Sequence, residues 1–451
     1  MSGIEQIIPD GYKQTEIGVI PEDWSVKKLK EISPSQSVGL VINPSSYYAV
    51  DGTIPMLVGS HVRENRINWK NANKISPESN NKLPASRLNE GDLVTVRVGE
   101  PGVTAVIPPE LDKANCASMM IVRKGDKFDS RWLCFLMNSK IGRERIEGVQ
   151  YGTAQKQFNI VDAIDFLFPF PSKPEQTAIA NALSDVDALL TELEKLIAKK
   201  QAIKTATMQQ LLTGKTRLPQ FATYTEGEKQ GQPKGTKPSE LGEIPEDWDV
   251  VSLGDIGNTV IGLTYSPNDV AEYGTLVLRS SNIQKNTLAY ENNVFVDMDL
   301  PERVIVKEGD ILVCVRNGSR NLIGKCALID KNAEGSAFGA FMSIYRTKQS
   351  KFIFFQFQSN VIQNQINEIM GATINQITNK DMAAFKVPLP SDEKEQTAIA
   401  TILSDMDNEI QTLEQRLTKT RQIKQGMMQQ LLSGRTRLPF KRLETEQDGG
   451  S

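Results

Sequence analysis

Two segments of this 451-residue chain are near copies of each other. Residues 175–219, EQTAIANALSDVDALLTELEKLIAKKQAIKTATMQQLLTGKTRLP, and residues 395–439, EQTAIATILSDMDNEIQTLEQRLTKTRQIKQGMMQQLLSGRTRLP, agree at 25 of 45 positions without a gap. A second echo precedes each: Ile20-Pro21-Glu22-Asp23-Trp24 returns as Ile244-Pro245-Glu246-Asp247-Trp248. The period, near 220 residues, is far longer than the roughly 20–50 residues of a solenoid repeat. The chain therefore reads as a duplicated domain-plus-helix unit. Duplication implies pseudo-twofold symmetry and something bipartite to bind.

Each repeated segment carries an apolar stripe. Ile179, Leu183, Val186, Leu190, Leu193 and Ile197 step by four and three, and so do Ile399, Leu403, Met406, Ile410, Leu413 and Leu417. That 3.5-residue period is the a/d seam of a coiled coil. The stripe then shifts, with Ile203 and Leu211 matching Ile423 and Leu431. Ser172 three residues before Glu175, and Asp392 three before Glu395, fit capping boxes. Pro174 suits a first turn, and Gly214 and Gly434 follow the last apolar pairs as stops. Lys215, Arg217, Arg435 and Arg437 sit where cations favour the helix dipole. Each helix should run roughly 57–60 Å at about 1.5 Å per residue. Neither can bury its stripe alone, so the expected solution is a mutual antiparallel pair. The shared polar pairs Gln209-Gln210 and Gln429-Gln430 suggest a surface for a repeated partner.

The blocks before the helices read as short strands and turns. Gly91-Asp92-Leu93-Val94 with Arg97 pairs with Gly309-Asp310-Ile311-Leu312 and Arg316, and Gly59-Ser60-His61-Val62 with Ser280-Ser281-Asn282-Ile283. Gly152–Phe158 pairs with Gly371–Ile377, and Phe166 with Phe385. The scaffold matches while the loop chemistry differs, as in two modules reading different targets. Base edges are read by Arg on guanine, Asn or Gln on adenine, and Glu on cytosine. The candidate DNA-contacting residues are Ser60, His61, Arg63, Arg97, Glu100, Gln155, Lys156 and Gln157 in the first block. In the second they are Arg279, Ser281, Asn282, Arg316, Asn317, Ser319, Arg320, Asn375 and Gln376. The alternative for each is an ordinary polar turn residue.

Charge does not announce a polyanion binder. Residues 1–172 hold 20 Lys and Arg against 20 Asp and Glu, and residues 238–391 hold 13 against 18. A DNA site must then be a local patch or be completed by a partner's charge. Four scattered cysteines, with no CxxC, point to a reduced cytoplasmic location without disulfides or structural zinc. No apolar stretch approaches a membrane span, and the N-terminus lacks a signal peptide's basic start and apolar core. The single histidine, His61, disfavours His-based triads and His-rich metal sites. There is no GxxxxGK[ST] and no GxGxxG. Asn43-Pro44-Ser45-Ser46 lacks the aromatic of an amino-methyltransferase motif. Asp392-Glu393-Lys394 sits at a helix start, where acidic residues serve the dipole. No catalytic constellation emerges.

Two variable blocks, each ending in a near-identical long helix, with IPEDW, EQTAIA and QQLL-G-TRLP in this order, resemble the specificity (S) subunit of type I restriction-modification systems. The resemblance covers about residues 13–440. It implies an α+β chain with two mixed α/β target recognition domains, separated by two long helices paired as an antiparallel coiled coil in a pseudo-twofold internal repeat. The expected divisions are recognition domain 1 at 1–172, first spacer helix at 173–219, linker at 220–237, recognition domain 2 at 238–391, second spacer helix at 392–440 and a flexible tail at 441–451. It further implies double-stranded DNA as ligand, two methylation (M) subunits, and restriction (R) subunits reached through them. S-adenosylmethionine and the chemistry would belong to the methylation subunits, with no cofactor or catalytic site in this chain. A self-contained DNA enzyme and a coiled-coil scaffold that reads no sequence are the competing readings.

Overall fold

The computed structural model describes residues 8–153, 155–370 and 376–439. Contacts divide the chain into one unit of residues 1–194 with 415–451 and another of residues 195–414. The expected tail at 441–451 and Asn375 lie outside the described residues.

Each unit is built on the same four-stranded antiparallel sheet. In the first unit the order is Thr104–Val106, Leu93–Val96, Met119–Val122, Gln36–Val38. In the second it is Cys326–Leu328, Ile311–Cys314, Met342–Thr347, Gly257–Ile261. A short parallel pair accompanies each: Asn115–Cys116 with Ile54–Leu57, and Ala337–Phe338 with Thr275–Leu278. The repeated Gly-Asp opens a central strand for a reason. Asp92 is buried, accepts the Asn89 and Lys124 amides at 2.9 and 3.0 Å, and pairs with Arg123 at 2.7 Å. Asp310 does the same with the Lys307 amide and Arg346, both at 2.9 Å. A buried carboxylate persists only when satisfied in this way.

Two helices back each sheet: Ser130–Asn138 and Lys140–Val149 in one unit, Ser350–Gln358 and Asn360–Ile369 in the other. The repeated Phe precedes a strand that closes the block. Leu167–Phe170 pairs antiparallel with Ser25–Lys28, and Lys386–Pro390 with Trp248–Ser252. Each block's beginning is thereby tied to its end, where the long helix departs.

The long helices are Lys173–Leu211 and Glu393–Leu431, 39 residues each, and both cross the division between the units. Within each unit they run antiparallel. In the first, Asp187 pairs with Lys424 at 2.5 Å and Glu194 with Arg421 at 2.8 Å. In the second, Lys204 pairs with Asp407 at 2.5 Å and Lys200 with Glu409 at 2.7 Å. Leu193, Ile197 and Ile410 are buried, whereas Val186, Leu190, Met406, Leu413 and Leu417 are half-buried. The first two stripe positions depart from a pure seam. Ile179 and Leu183 join Trp24, Trp132 and Leu431 in the first unit's core, and Ile399 and Leu403 join Trp248, Phe355 and Leu211 in the second's. Apolar area is buried against the block as well as the other helix, which removes more of it from water.

The capping boxes expected at Glu175 and Glu395 do not form, because both carboxylates are used elsewhere. Glu395 accepts the Trp248 indole N–H at 3.1 Å and two bonds from Arg217, at 2.6 and 2.8 Å. Arg217 grips Asp247 on its other side, at 2.8 and 3.2 Å, and lies over the Trp248 ring. Glu175 likewise accepts the Trp24 indole N–H at 3.0 Å and pairs with Arg437, which grips Asp23 and covers Trp24. Thus IPEDW, EQ and TRLP form one three-part latch, present in each unit. The dipole role expected of Arg217 and Arg437 is superseded by these bidentate pairs. Burial opposes ionisation of Asp247, yet Arg217 and Lys234 hold its carboxyl below the usual range. Asp23 and Glu175 raise Arg437 above the usual guanidinium range. The glycine stops are needed in a second way. Gly214 and Gly434 have φ +69° and +74°, and a Cβ there would meet Pro245 at 2.4 Å or Pro21 at 2.5 Å.

Residues 220–237 carry local order: Thr223 bridges Pro233, and Lys234 pairs with Asp247 at 2.8 Å.

Candidate nucleic-acid interface

In the first unit three segments meet at the end of the Leu93–Val96 strand. The loop after it zips to the segment ending at Phe158: Val98 bridges Gln157, and Gly99 donates to the Lys156 carbonyl at 3.1 Å. Gly59 of the Gly59–His61 turn packs so close that a Cβ would touch Val96 at 3.0 Å. Ser60, Glu100, Gln155 and Lys156 are exposed here, and Arg97 and Gln157 half-buried. The Arg97 Nε donates to the Phe158 carbonyl at 3.2 Å. Arg63 stands apart from this convergence. It donates to the Ser60 and Val62 carbonyls at 3.1 and 2.9 Å and lines a cleft of about 900 Å³ with Arg66, Lys140 and the two long helices.

The second unit repeats the convergence with other side chains. Arg316 bridges Gln376, and Ile377 donates to the Val315 carbonyl at 2.8 Å. Asn317 donates from Nδ2 to the Ser280 hydroxyl at 3.2 Å, which ties the Ser280–Asn282 turn to the loop. Ser281, Arg316, Ser319 and Arg320 are exposed. The Arg320 guanidinium reaches the Asn367 carbonyl at 3.4 Å, and Arg279 donates to the Asn292 carbonyl at 2.9 Å.

Backbone register corrects the pairing of Arg97 with Arg316. Gly102 donates to Val96 and Gly324 to Cys314, so Val96 and Cys314 are equivalent. Phe158 donates to Arg97 as Ile377 does to Val315. Arg97 therefore matches Val315, and Arg316 matches Val98. Consecutive residues of extended backbone project to opposite sides, so the two arginines do not share a role. Arg97 fastens the third segment of its unit, whereas Arg316 is exposed.

Asn282 is a second correction. It is fully buried, its Oδ1 accepts the Arg279 amide at 3.0 Å, and its Nδ2 donates to Ala289 and Asn293. It closes its turn and has nothing left to offer a base. His61 holds the same position in the first unit, its Nδ1 accepting the Val58 amide at 3.0 Å. That nitrogen must be unprotonated, and burial with nearby Arg63 lowers the imidazole below its usual range.

Phe341 was not among the candidates. Its ring is 56% exposed beside Arg316, whose guanidinium carbon lies 5.4 Å from the ring centroid. No periodicity distinguishes it from the buried Phe338 three residues earlier. Among the described residues no cluster of three or more His, Cys, Asp or Glu is placed to hold a metal, and no helix is long and apolar enough to cross a membrane.

Comparison with known proteins identifies the family. The type I restriction modification DNA specificity domain family matches residues 21–205 and 245–424. A Methanocaldococcus jannaschii protein provisionally assigned as a type I restriction enzyme MjaX specificity subunit is 27% identical over 447 residues, 95% of this chain and 97% of that one. The type I restriction enzyme MjaVIII specificity subunit of the same organism is 24% identical over 444 residues, covering 95% and 96%. The S subunit structure of the type I system from M. genitalium shares the fold at TM-score 0.55 and 16% identity, over 91% of this chain and 96% of that one. With two matched domains spanning most of its length, this chain belongs to the type I restriction-modification specificity family, as a non-catalytic specificity subunit that recognises DNA sequence.

Proposed function

We propose that the chain reads a bipartite, asymmetric double-stranded DNA site, with one half-site contacted by each unit. One observation carries the reading: the same three-segment convergence recurs with different exposed side chains, Ser60, Glu100 and Lys156 in one unit against Ser281, Arg316 and Arg320 in the other. A shared scaffold with unlike loops suits two unlike half-sites. In this reading the 39-residue helices determine the spacer length between the half-sites, and not the half-site sequences.

In this reading the chain supplies recognition and its partners supply chemistry. Two methylation subunits dock against the repeated helix surfaces and bring S-adenosylmethionine, and restriction subunits join through them. The modest charge of the blocks fits a division in which the partners neutralise much of the phosphate backbone. Assembly takes place in the cytoplasm, where the reduced cysteines and the DNA are found.

The test is methylome sequencing of cells that express this chain with its cognate methylation subunit. N6-methyladenine in a two-part motif with a fixed gap is the expected result. No new methylation, with the same methylation subunit active on another specificity chain, would refute the bipartite reader.

A further inference from the structure

The ring of Phe341 is presented to solvent by a backbone that cannot easily move. Its carbonyl accepts both the Val315 and Arg316 amides, at 3.0 and 3.1 Å. Gly339 before it donates to Leu278, and Met342 after it continues a central strand. The first unit has no counterpart. Ala117 and Gly339 are equivalent, each donating to the parallel strand at 2.9 Å, through Leu57 and Leu278. Met119 and Met342 are equivalent too, paired with Val96 and Cys314. One residue, Ser118, joins the first two, whereas Ala340 and Phe341 join the second. The second unit therefore carries one inserted residue where its three segments converge.

Single exposed apolar residues are common and need no explanation. Phe341 differs because it is inserted, anchored, and in cation–π contact with Arg316, an exposed arginine of the convergence. That contact restrains a guanidinium that otherwise has several rotamers. A restrained guanidinium is what bidentate pairing with guanine O6 and N7 requires. The rest of the ring is left free beside it, and phenylalanine in the major groove recognises the thymine 5-methyl group.

We infer that Phe341 is a specificity-determining residue of the second unit. It holds Arg316 in the plane of a guanine and packs its free edge on the methyl group of an adjacent thymine. The inference rests on the DNA-reading function proposed above and adds the dinucleotide chemistry read at this point.

The experiment uses the complete chain assembled with its methylation subunits. The probes are duplexes bearing the motif that the wild-type complex methylates, with each thymine replaced in turn by deoxyuracil to remove its methyl. One thymine next to a guanine in one half-site should be sensitive, with binding falling roughly 4-fold for the loss of one buried methyl. Phe341→Ala should weaken binding to the normal duplex roughly 4- to 20-fold, for the methyl contact and the restraint of Arg316 together, and should weaken binding to the deoxyuracil duplex less, because only the restraint of Arg316 is left to lose. Phe341→Leu, which keeps apolar volume without the π face, should retain part of the methyl sensitivity. Equal sensitivity to deoxyuracil in wild type and Phe341→Ala would overturn the inference, as would uniform weakening on every sequence. A wild-type complex with no sequence preference would overturn the DNA-reading function together with it.

Discussion

Removal of the Glu395 carboxylate tests the latch that joins helix start, helix end and block. Its side chain is 2% exposed, and it accepts from the Trp248 indole and twice from Arg217. Glu395→Ala orphans the buried indole N–H, at about 1–3 kcal/mol. Breaking a buried ion pair from one side costs about 3–5 kcal/mol when the remaining charge has no other partner. Arg217 keeps Asp247 through two bonds, so we place the whole loss at about 3–4 kcal/mol, below the sum of the two costs. Glu395→Gln retains one acceptor for the indole but turns an N–H₂ toward Arg217, and should cost about 2 kcal/mol. Glu175→Ala should also cost about 2 kcal/mol, because the Arg437 side chain is 32% exposed against 11% for Arg217 and water replaces part of what is lost. Thermal unfolding followed by fluorescence separates the units, since Trp248 is the only tryptophan of residues 195–414 and the other three lie in the first unit. In a Trp24→Phe, Trp69→Phe, Trp132→Phe background, Glu395→Ala should lower the Trp248 transition by about 6–16 °C, at roughly 2–4 °C per kcal/mol for a unit of this size. A loss under about 0.5 kcal/mol, the level of an ordinary surface substitution, would refute the reasoning, as would Gln proving as damaging as Ala.

Three further outcomes follow from the same geometry. Lys204 is 12% exposed, pairs with Asp407 and lies over Phe355, so Lys204→Asp should cost about 3 kcal/mol, and Lys204→Asp with Asp407→Lys should recover over half, read by a double-mutant cycle. His61→Asn should be nearly neutral, because Asn282 performs the same task in the other unit, whereas His61→Ala should cost about 1–3 kcal/mol for the stranded Val58 amide. The lowered His61 pKa means that the unfolded chain takes up the proton first. The stability it contributes is complete above about pH 6.5 and is lost as pH falls toward the folded value; His61→Asn should remove that slope from the stability–pH profile. Arg316→Ala should relax one base position by about 1–3 kcal/mol, whereas Arg97→Ala should blur several positions by freeing the Phe158 segment; single-position changes from both, in a binding-site selection, would contradict the register.

Much of the architecture was legible without coordinates because it is written locally and twice. The 4,3 stepping from Ile179 to Ile197 marks a helix by its own period, and Gly214 and Gly434 end it because they adopt a backbone conformation that other residues resist. The repeat then implied that each helix had a symmetric partner. The strand-and-loop blocks were harder, since short strands carry little periodic signal. Ser60, Lys156, Arg316 and Gln376 were drawn from residue chemistry alone, and the structure gathers them into two convergences.

What tertiary structure alone decided involves distance along the chain. Glu175 reads locally as a capping residue, yet its partners are Trp24, 151 positions before it, and Arg437, 262 positions after it. Asn282 reads as a base contact until its turn closes over it and consumes both ends of its amide. Arg97 and Arg316 look equivalent in linear alignment, and one step of register, set by Val96 and Cys314 across their loops, sends them to opposite sides. Helix period and glycine conformation are properties of neighbouring residues, so the sequence by itself determined the duplicated helix-bearing plan. Burial, register and long-range charge pairing depend on which segments meet in space, and those decided which polar residues serve the scaffold and which are left exposed.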